Sequence, residues 1–181
     1  MPYRMSASYN GIDLLKYTPN LRRCSMCGLL THKWEEFADS PQKPKADIST
    51  SRDGHKMVSP RFWKIYEENG FFGVNFWPLS SRYYVLFPTR TVEIDPDHYK
   101  IMPLKLCKHC GQYEEILVHG KPRLAVGERP IASHEIVRSA MDYGGKSFKG
   151  YHVFIGDAVR DILEIKNLSG LSLNKMDPQH S

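Results

Sequence analysis

The sequence predicts an α+β fold, with two similar strand–helix–strand units set around a mixed sheet and joined by four clustered cysteines. Three observations predict it. All four cysteines of the 181-residue chain fall in two Cys-x-x-Cys-Gly stretches, at 24–28 and 107–111. A strand-like run followed by an amphipathic helix and a glycine occurs near the middle of the chain. The same pattern returns near the C-terminus, 97 residues later.

The cysteines come first because they constrain the most. Cys24, Cys27, Cys107 and Cys110 are two pairs, and two residues between the members of a pair let a tight turn aim both sulfurs at one point. Glycine after each pair, Gly28 and Gly111, lets the backbone turn under the sulfurs with positive φ. Four thiolates arriving this way suit tetrahedral Zn²⁺, and a filled four-thiolate site is closed, hence structural. The expected site is a zinc ribbon split by a long insertion, built from 20–37 and 101–118. The 79 residues between Cys27 and Cys107 far exceed the usual ribbon spacing of about 15–20. One metal on all four sulfurs therefore clips distant parts of the chain together. Redox Cys-x-x-Cys pairs, disulfides and another metal or cluster are the alternatives. Neither pair sits in a thioredoxin-like βαβ setting, and no export signal accompanies them.

Composition describes a folded chain. Hydrophobic residues make up 41%, charged residues 25% and aromatics 12%, which fits a soluble globular protein and not a disordered one. A single domain over 1–181 is expected. The net charge is +5, but the basic residues are scattered without a Lys/Arg run. Residues 1–15 lack the apolar core of a signal peptide, and no stretch approaches the roughly 18 apolar residues of a membrane span. The expectation is a cytoplasmic protein with no membrane partner.

Taken in order, residues 1–20 are polar and aromatic without a clear period, with a turn signal at Tyr9-Asn10-Gly11. Trp34 and Phe37 follow the first cysteine pair. The Ser/Pro/Lys-rich stretch 40–45 reads as a loop or lid. The first unit, 55–79, opens with a strand at 55–58. Ser59-Pro60 marks a helix start, serine as N-cap and proline at the first helical position. Phe62, Ile65 and Tyr66 share one face, Gly70 stops the helix, and Val74, Phe76 and Pro78 close the unit. Two strands are expected within 82–94, joined at Pro88-Thr89-Arg90. A turn at Asp95-Pro96-Asp97, the second cysteine pair and a strand at 113–118 come next. Residues 119–133 read as loop.

The second unit, 150–176, matches the first in phase. His152 falls on His55, Ile162 on Ile65, Glu164 on Glu67 and Gly170 on Gly73. Val159 and Leu163 fall on Phe62 and Tyr66, and Asn167 on Gly70.

No catalytic constellation emerges. Gly145-Lys146-Ser147 has the end of a P-loop but lacks its first glycine, and a strand at 148–155 follows where a helix should. His109, inside the second pair, is a weak candidate ligand. The matched His55 and His152 more often flank a strand than bind anything. Asp157 and Asp161 suit the N-terminal end of the last helix. The chain is expected not to be an enzyme.

The residues also carry a resemblance. Two distant Cys-x-x-Cys-Gly stretches lie on either side of Ser-x-Arg-Phe-x-x-Ile-Tyr-Glu-Glu-x-Gly-Phe-x-Gly-Val-x-Phe-x-Pro at 59–78. The chain ends in Val-Phe-Ile-Gly…Leu-x-Gly-Leu-x-Leu at 153–173. Together these resemble the bacterial double-CxxCG motif proteins, which are similar to immunity proteins of polymorphic and contact-dependent toxin systems. The resemblance spans roughly 24–176. It implies a non-catalytic protein that binds a cognate toxin and occludes it, with structural zinc on Cys24, Cys27, Cys107 and Cys110. The competing reading is a zinc-ribbon nucleic-acid-binding or regulatory protein, with Lys100, Lys105, Lys108, Lys121 and Arg123 as its basic candidates.

Overall fold

The fold is that of a computed structural model describing residues 1–18, 20–33, 39–146 and 148–179. Trp34, Phe37 and the rest of 34–37, and Ser147 of the Gly-Lys-Ser stretch, lie outside the described residues. The described residues form eleven strands in one mixed sheet, with two α-helices.

The strands are β1 (Tyr3–Tyr9), β2 (Ile48–Thr50), β3 (Lys56–Val58), β4 (Val74–Pro78), β5 (Tyr84–Pro88), β6 (Thr91–Val92), β7 (Met102–Leu106), β8 (Tyr113–Leu117), β9 (Ile136–Gly145), β10 (Gly150–Ile155) and β11 (Leu171–Lys175). Helix α1 is Pro60–Glu68 and α2 is Asp157–Lys166. The sheet runs β4-β5-β3-β2-β1-β10-β9-β8-β7, with β11 added on β1 and β6 on β9.

Around each helix the pairing is alike. β3 and β4 both lie antiparallel to β5, and β10 and β11 both lie antiparallel to β1. Each helix therefore connects two parallel strands that have one antiparallel strand between them. The helices begin at Pro60 and Asp157, and the strands that follow span Val74–Pro78 and Leu171–Lys175, a constant offset. The turns after both helices use left-handed backbone at corresponding places: Gly70 (φ 61°) and Asn167 (φ 47°), then Gly73 (φ 91°) and Gly170 (φ 79°).

Alternation along the strands divides the core. Val58, Leu86, Ile136, Val153 and Ile155 face the helices and pack with Phe62, Ile65, Tyr66, Val159 and Leu163. Their strand neighbours Val137 and Phe154 face the other way, into a second cluster with Val92, Ile94, Tyr99 and Tyr143. Met57 and Val85 join Ile12, Leu14 and Leu15 in a third. This is the period of two that places successive side chains on opposite faces.

Several expectations need adjustment. The N-terminal stretch is strand β1, which lies between β10 and β11. Its sequence, Tyr-Arg-Met-Ser-Ala-Ser-Tyr, carries a faint period of two: Tyr3, Met5 and Ala7 pack on the helix-side core and alternate with Arg4, Ser6 and Ser8, but only Met5 is buried. β5 and β6 flank the predicted turn, yet β6 pairs with β9 and not with β5. β9, the longest strand, carries polar residues and glycines through its second half. The 119–133 stretch is largely loop. Its exit is held by buried Glu135, which accepts from Arg90 at 2.8 Å, Arg129 at 2.6 Å and the Ala132 N–H at 3.0 Å.

Candidate metal centre

Each cysteine pair sits at the tip of a reversal of the chain. Around the first pair the reversal is short, with a single bridge between Arg23 and Leu30. Around the second it is the full β7–β8 hairpin, where Met102 pairs with Leu117 and Leu106 with Tyr113. The tips share one hydrogen-bond pattern. The Cys24 N–H donates to the Leu29 carbonyl and the Gly28 N–H to the Cys24 carbonyl, at 2.8 and 2.9 Å. The Cys107 N–H donates to the Gln112 carbonyl and the Gly111 N–H to the Cys107 carbonyl, both at 2.9 Å. Gly28 and Gly111 take φ of 73° and 71°. Open space surrounds both α-carbons, so the backbone angle, not crowding, calls for glycine.

The fold brings the tips together. The Gln112 side-chain amide donates to the Leu30 carbonyl at 3.0 Å across the junction. The Cys24 and Cys107 sulfurs are 3.8 Å apart, and those of Cys27 and Cys110 are 3.7 Å apart. All four sulfurs lie within 4.8 Å of one another. Metal–sulfur bonds of about 2.3 Å at tetrahedral angles put sulfurs about 3.8 Å apart. The spacing fits one four-coordinate metal ion. It exceeds the roughly 2 Å of a disulfide, and all four cysteines are free.

Backbone amides are aimed at the sulfurs. The Cys27 and Met26 N–H groups point at Cys24, and those of Cys110 and His109 point at Cys107. The Cys27 amide holds the Cys24 thiol down at about 7 against burial. Cys27 receives the Leu29 amide, but burial and the neighbouring sulfurs push it up to about 12. Cys107 is lowered by the amides of Cys110 and His109, while Cys110, despite the Gln112 amide, is raised by burial and by Cys107 and Cys24. Four crowded thiols cannot all ionise without a cation among them, because each new charge raises its neighbours. A metal ion held among the four sulfurs would supply that cation. His109 contributes its backbone amide here, and its ring is not part of the ligand group.

The other candidates are dispersed. His55 is fully buried, with its Nδ1 3.0 Å from Asp53 Oδ1. Ser51 Oγ donates to the same Asp53 oxygen, and the Leu15 N–H donates to Asp53 Oδ2 at 2.8 Å. Against its burial, these donors hold Asp53 down at about 2. The serine here bonds the carboxylate and not the imidazole, so the three are not arranged as a nucleophile and its base. They lock the turn that leads into β3. His152 sits elsewhere, against Tyr99 Oη at 3.2 Å and the Tyr143 ring at 4.5 Å. Burial, helped by Arg4 and Lys56, pushes its imidazole down to about 3.

Sequence reasoning did not find a charged cavity beside the first knuckle. It gathers side chains from positions as distant as Asp13 and Lys149, so no local motif announces it. No protein-family model matches the chain, and no curated protein matches it either. Among the described residues, no helix is long and apolar enough to cross a membrane.

Proposed function

We propose that the chain is a zinc-stapled immunity protein that binds and neutralises a cognate bacterial toxin by occlusion, as the double-CxxCG resemblance implies. In this reading the two knuckles are a split zinc ribbon and the ion is structural Zn²⁺. Segments 55–79 and 150–176 are two similar strand–helix–strand units. The four-thiolate set supports zinc because soft sulfur ligands in a tetrahedron suit it, and a closed site leaves no position for a substrate.

The observation that carries the binding role is the outward face of the β7–β8 hairpin. Met102, Leu104, Leu106 and Leu117 fall on one face by their pairing, and they are 48, 40, 52 and 42% exposed. Met26, at the tip of the first knuckle, is 76% exposed. An apolar face held rigid beside a metal staple is suited to covering a partner. Pro103 and the left-handed Lys105 (φ 56°) blunt the free edge of β7, as edge strands require. The contact is therefore by the face and not by strand addition. The nucleic-acid reading loses support from its own candidates: Arg123 is committed to Asp95 at 2.6 Å and Lys105 to Glu115 at 3.2 Å.

The test is to mix the purified zinc-loaded protein with the toxin encoded beside its gene and follow binding by calorimetry. A tight complex is expected, weakened at least about tenfold by Leu104→Glu. Absence of a complex overturns the reading. Salt-sensitive binding to single-stranded DNA or RNA would favour the nucleic-acid alternative.

A further inference from the structure

The cavity beside the first knuckle is bounded by that knuckle and by strands β8 and β9, and its volume is about 760 Å³. Cavities of about 300–1,000 Å³ take small organic ligands. Its wall holds six cationic side chains: Arg23, Lys33, Arg52, Arg138, Lys146 and Lys149. Three carboxylates share it, Asp13, Asp53 and Asp142.

Several of these charges are already engaged. Asp53 is taken by Ser51, His55 and the Leu15 amide. Lys146 pairs with Glu114 at 3.4 Å, and Arg23 donates to the Gly28 carbonyl at 3.1 Å. Lys33 donates to the Lys149 carbonyl.

Arg138 and Lys149 differ. The Arg138 guanidinium lies over the Phe87 ring at 4.9 Å and beside that of Tyr151 at 5.7 Å, and its Nε donates to the Pro88 carbonyl at 3.2 Å. Stacking and that bond fix the plane of the fork. No carboxylate among the described residues lies within 4.0 Å of it. Lys149 is only 9% exposed, and its ammonium donates to the Tyr113 carbonyl, which uses one of three protons. Burial lowers its affinity for a proton, and the Asp142 carboxylate opposes this. Removing charge from water costs stability, with Lys149 buried and Arg138 half-buried, and an anion in the cavity offsets that cost. Leu29 and Leu30 of the knuckle and Ile116 of β8 add apolar side chains to the wall.

We propose that this cavity binds a phosphorylated small molecule of nucleotide size. Arg138 and Lys149 hold the phosphate, and Leu29, Leu30 and Ile116 face the organic part. A planar guanidinium fork and an ammonium are donors that phosphate oxygens accept from, and the volume leaves room beyond a bare phosphate. This proposal stands independently of the toxin-binding reading.

The test is calorimetry on the metal-loaded full chain with ADP, pyrophosphate and adenosine as probes. ADP is expected to bind, pyrophosphate more weakly, and adenosine not at all. Arg138→Gln and Lys149→Met should each weaken ADP at least about tenfold, while Lys108→Ala on the exposed knuckle tip changes nothing. Should either variant fail to fold, methyl NMR shifts of Leu29, Leu30 and Ile116 on adding ADP to the unmodified protein locate the ligand. No heat and no methyl shift at millimolar ADP overturns the proposal, as does binding that survives Arg138→Gln in a folded variant. Equal binding of pyrophosphate and ADP overturns the role given to the apolar wall.

Discussion

The segment from β3 to β4 and the segment from β10 to β11 have the same skeleton and are closed by opposite means. In the first, the central strand β5 follows directly in sequence, after the 79–83 turn. In the second, the central strand is β1, from the far end of the chain. The helix starts differ in the same sense. Ser59 caps α1 from within: its Oγ accepts from the Phe62 N–H at 3.3 Å and donates to Asp47 at 2.8 Å. Gly156 stands at the corresponding place before α2 and has no side chain to offer. There Ser133 reaches in from the preceding loop, its Oγ accepting from the Ala158 N–H at 3.3 Å and its carbonyl from the Val159 N–H at 3.2 Å. Local sequence completes one segment, and remote sequence completes the other. The packing follows suit. Phe62, Tyr66 and Phe76 make edge and tilted ring contacts around α1, whereas Val159, Leu163 and Leu173 are the aliphatic counterparts around α2.

This contrast can be broken at several points. The largest effect should come from the four-cysteine cluster, which brings the knuckle before the first segment against the hairpin before the second. Chelation, or Cys107→Ser, should unfold or loosen the protein, because metal binding is coupled to folding. Thermal melts with and without chelator check this, with Lys108→Ala expected to melt like the unmodified chain. Next is Gly156→Ala. A Cβ there runs into the carbonyl oxygens of Ala132 and Ser133, so a loss of about 3 kcal/mol is expected by denaturant titration.

Acid should sharpen the contrast through His152. Its imidazole is neutral in the fold down to about 3, whereas in the unfolded chain it takes a proton near 6.5. Between those values the unfolded state binds more protons, so stability is complete above pH 6.5 and falls as pH drops towards 3. At pH 5 the loss from this group is about 2 kcal/mol. Denaturant midpoints at pH 7 and pH 5 measure it, and His152→Gln should flatten the dependence. The smallest effect belongs to the cap. Ser59→Ala should cost about 1 kcal/mol and leave the α2 segment unchanged, as amide hydrogen exchange would report.

Much of the first segment was legible because its signals are local. Ser59-Pro60, the Phe62/Ile65/Tyr66 face and Gly70 each act within a few residues, and the structure uses each of them as expected. The four cysteines were legible for a different reason. A Cys-x-x-Cys-Gly turn shapes itself, and four sulfurs have few stable arrangements in a folded interior other than around a metal. The β1 strand and the second half of β9 were poorly legible: β1 alternates with only Met5 buried, and Asp142, Gly144 and Gly145 interrupt the end of β9, so both depend on their neighbours for strand form.

By itself, then, the sequence determined the two knuckles, the helix limits and the left-handed turns, all set by interactions that span a handful of residues. Only the tertiary structure decided that β1 completes the second segment, that Gly156 yields its cap to a distant loop, and that Arg138 and Lys149 share a cavity with Leu29. Each of these depends on which strand lies beside which. Pairing of that kind follows from burying the whole sheet at once, and no local spacing encodes it.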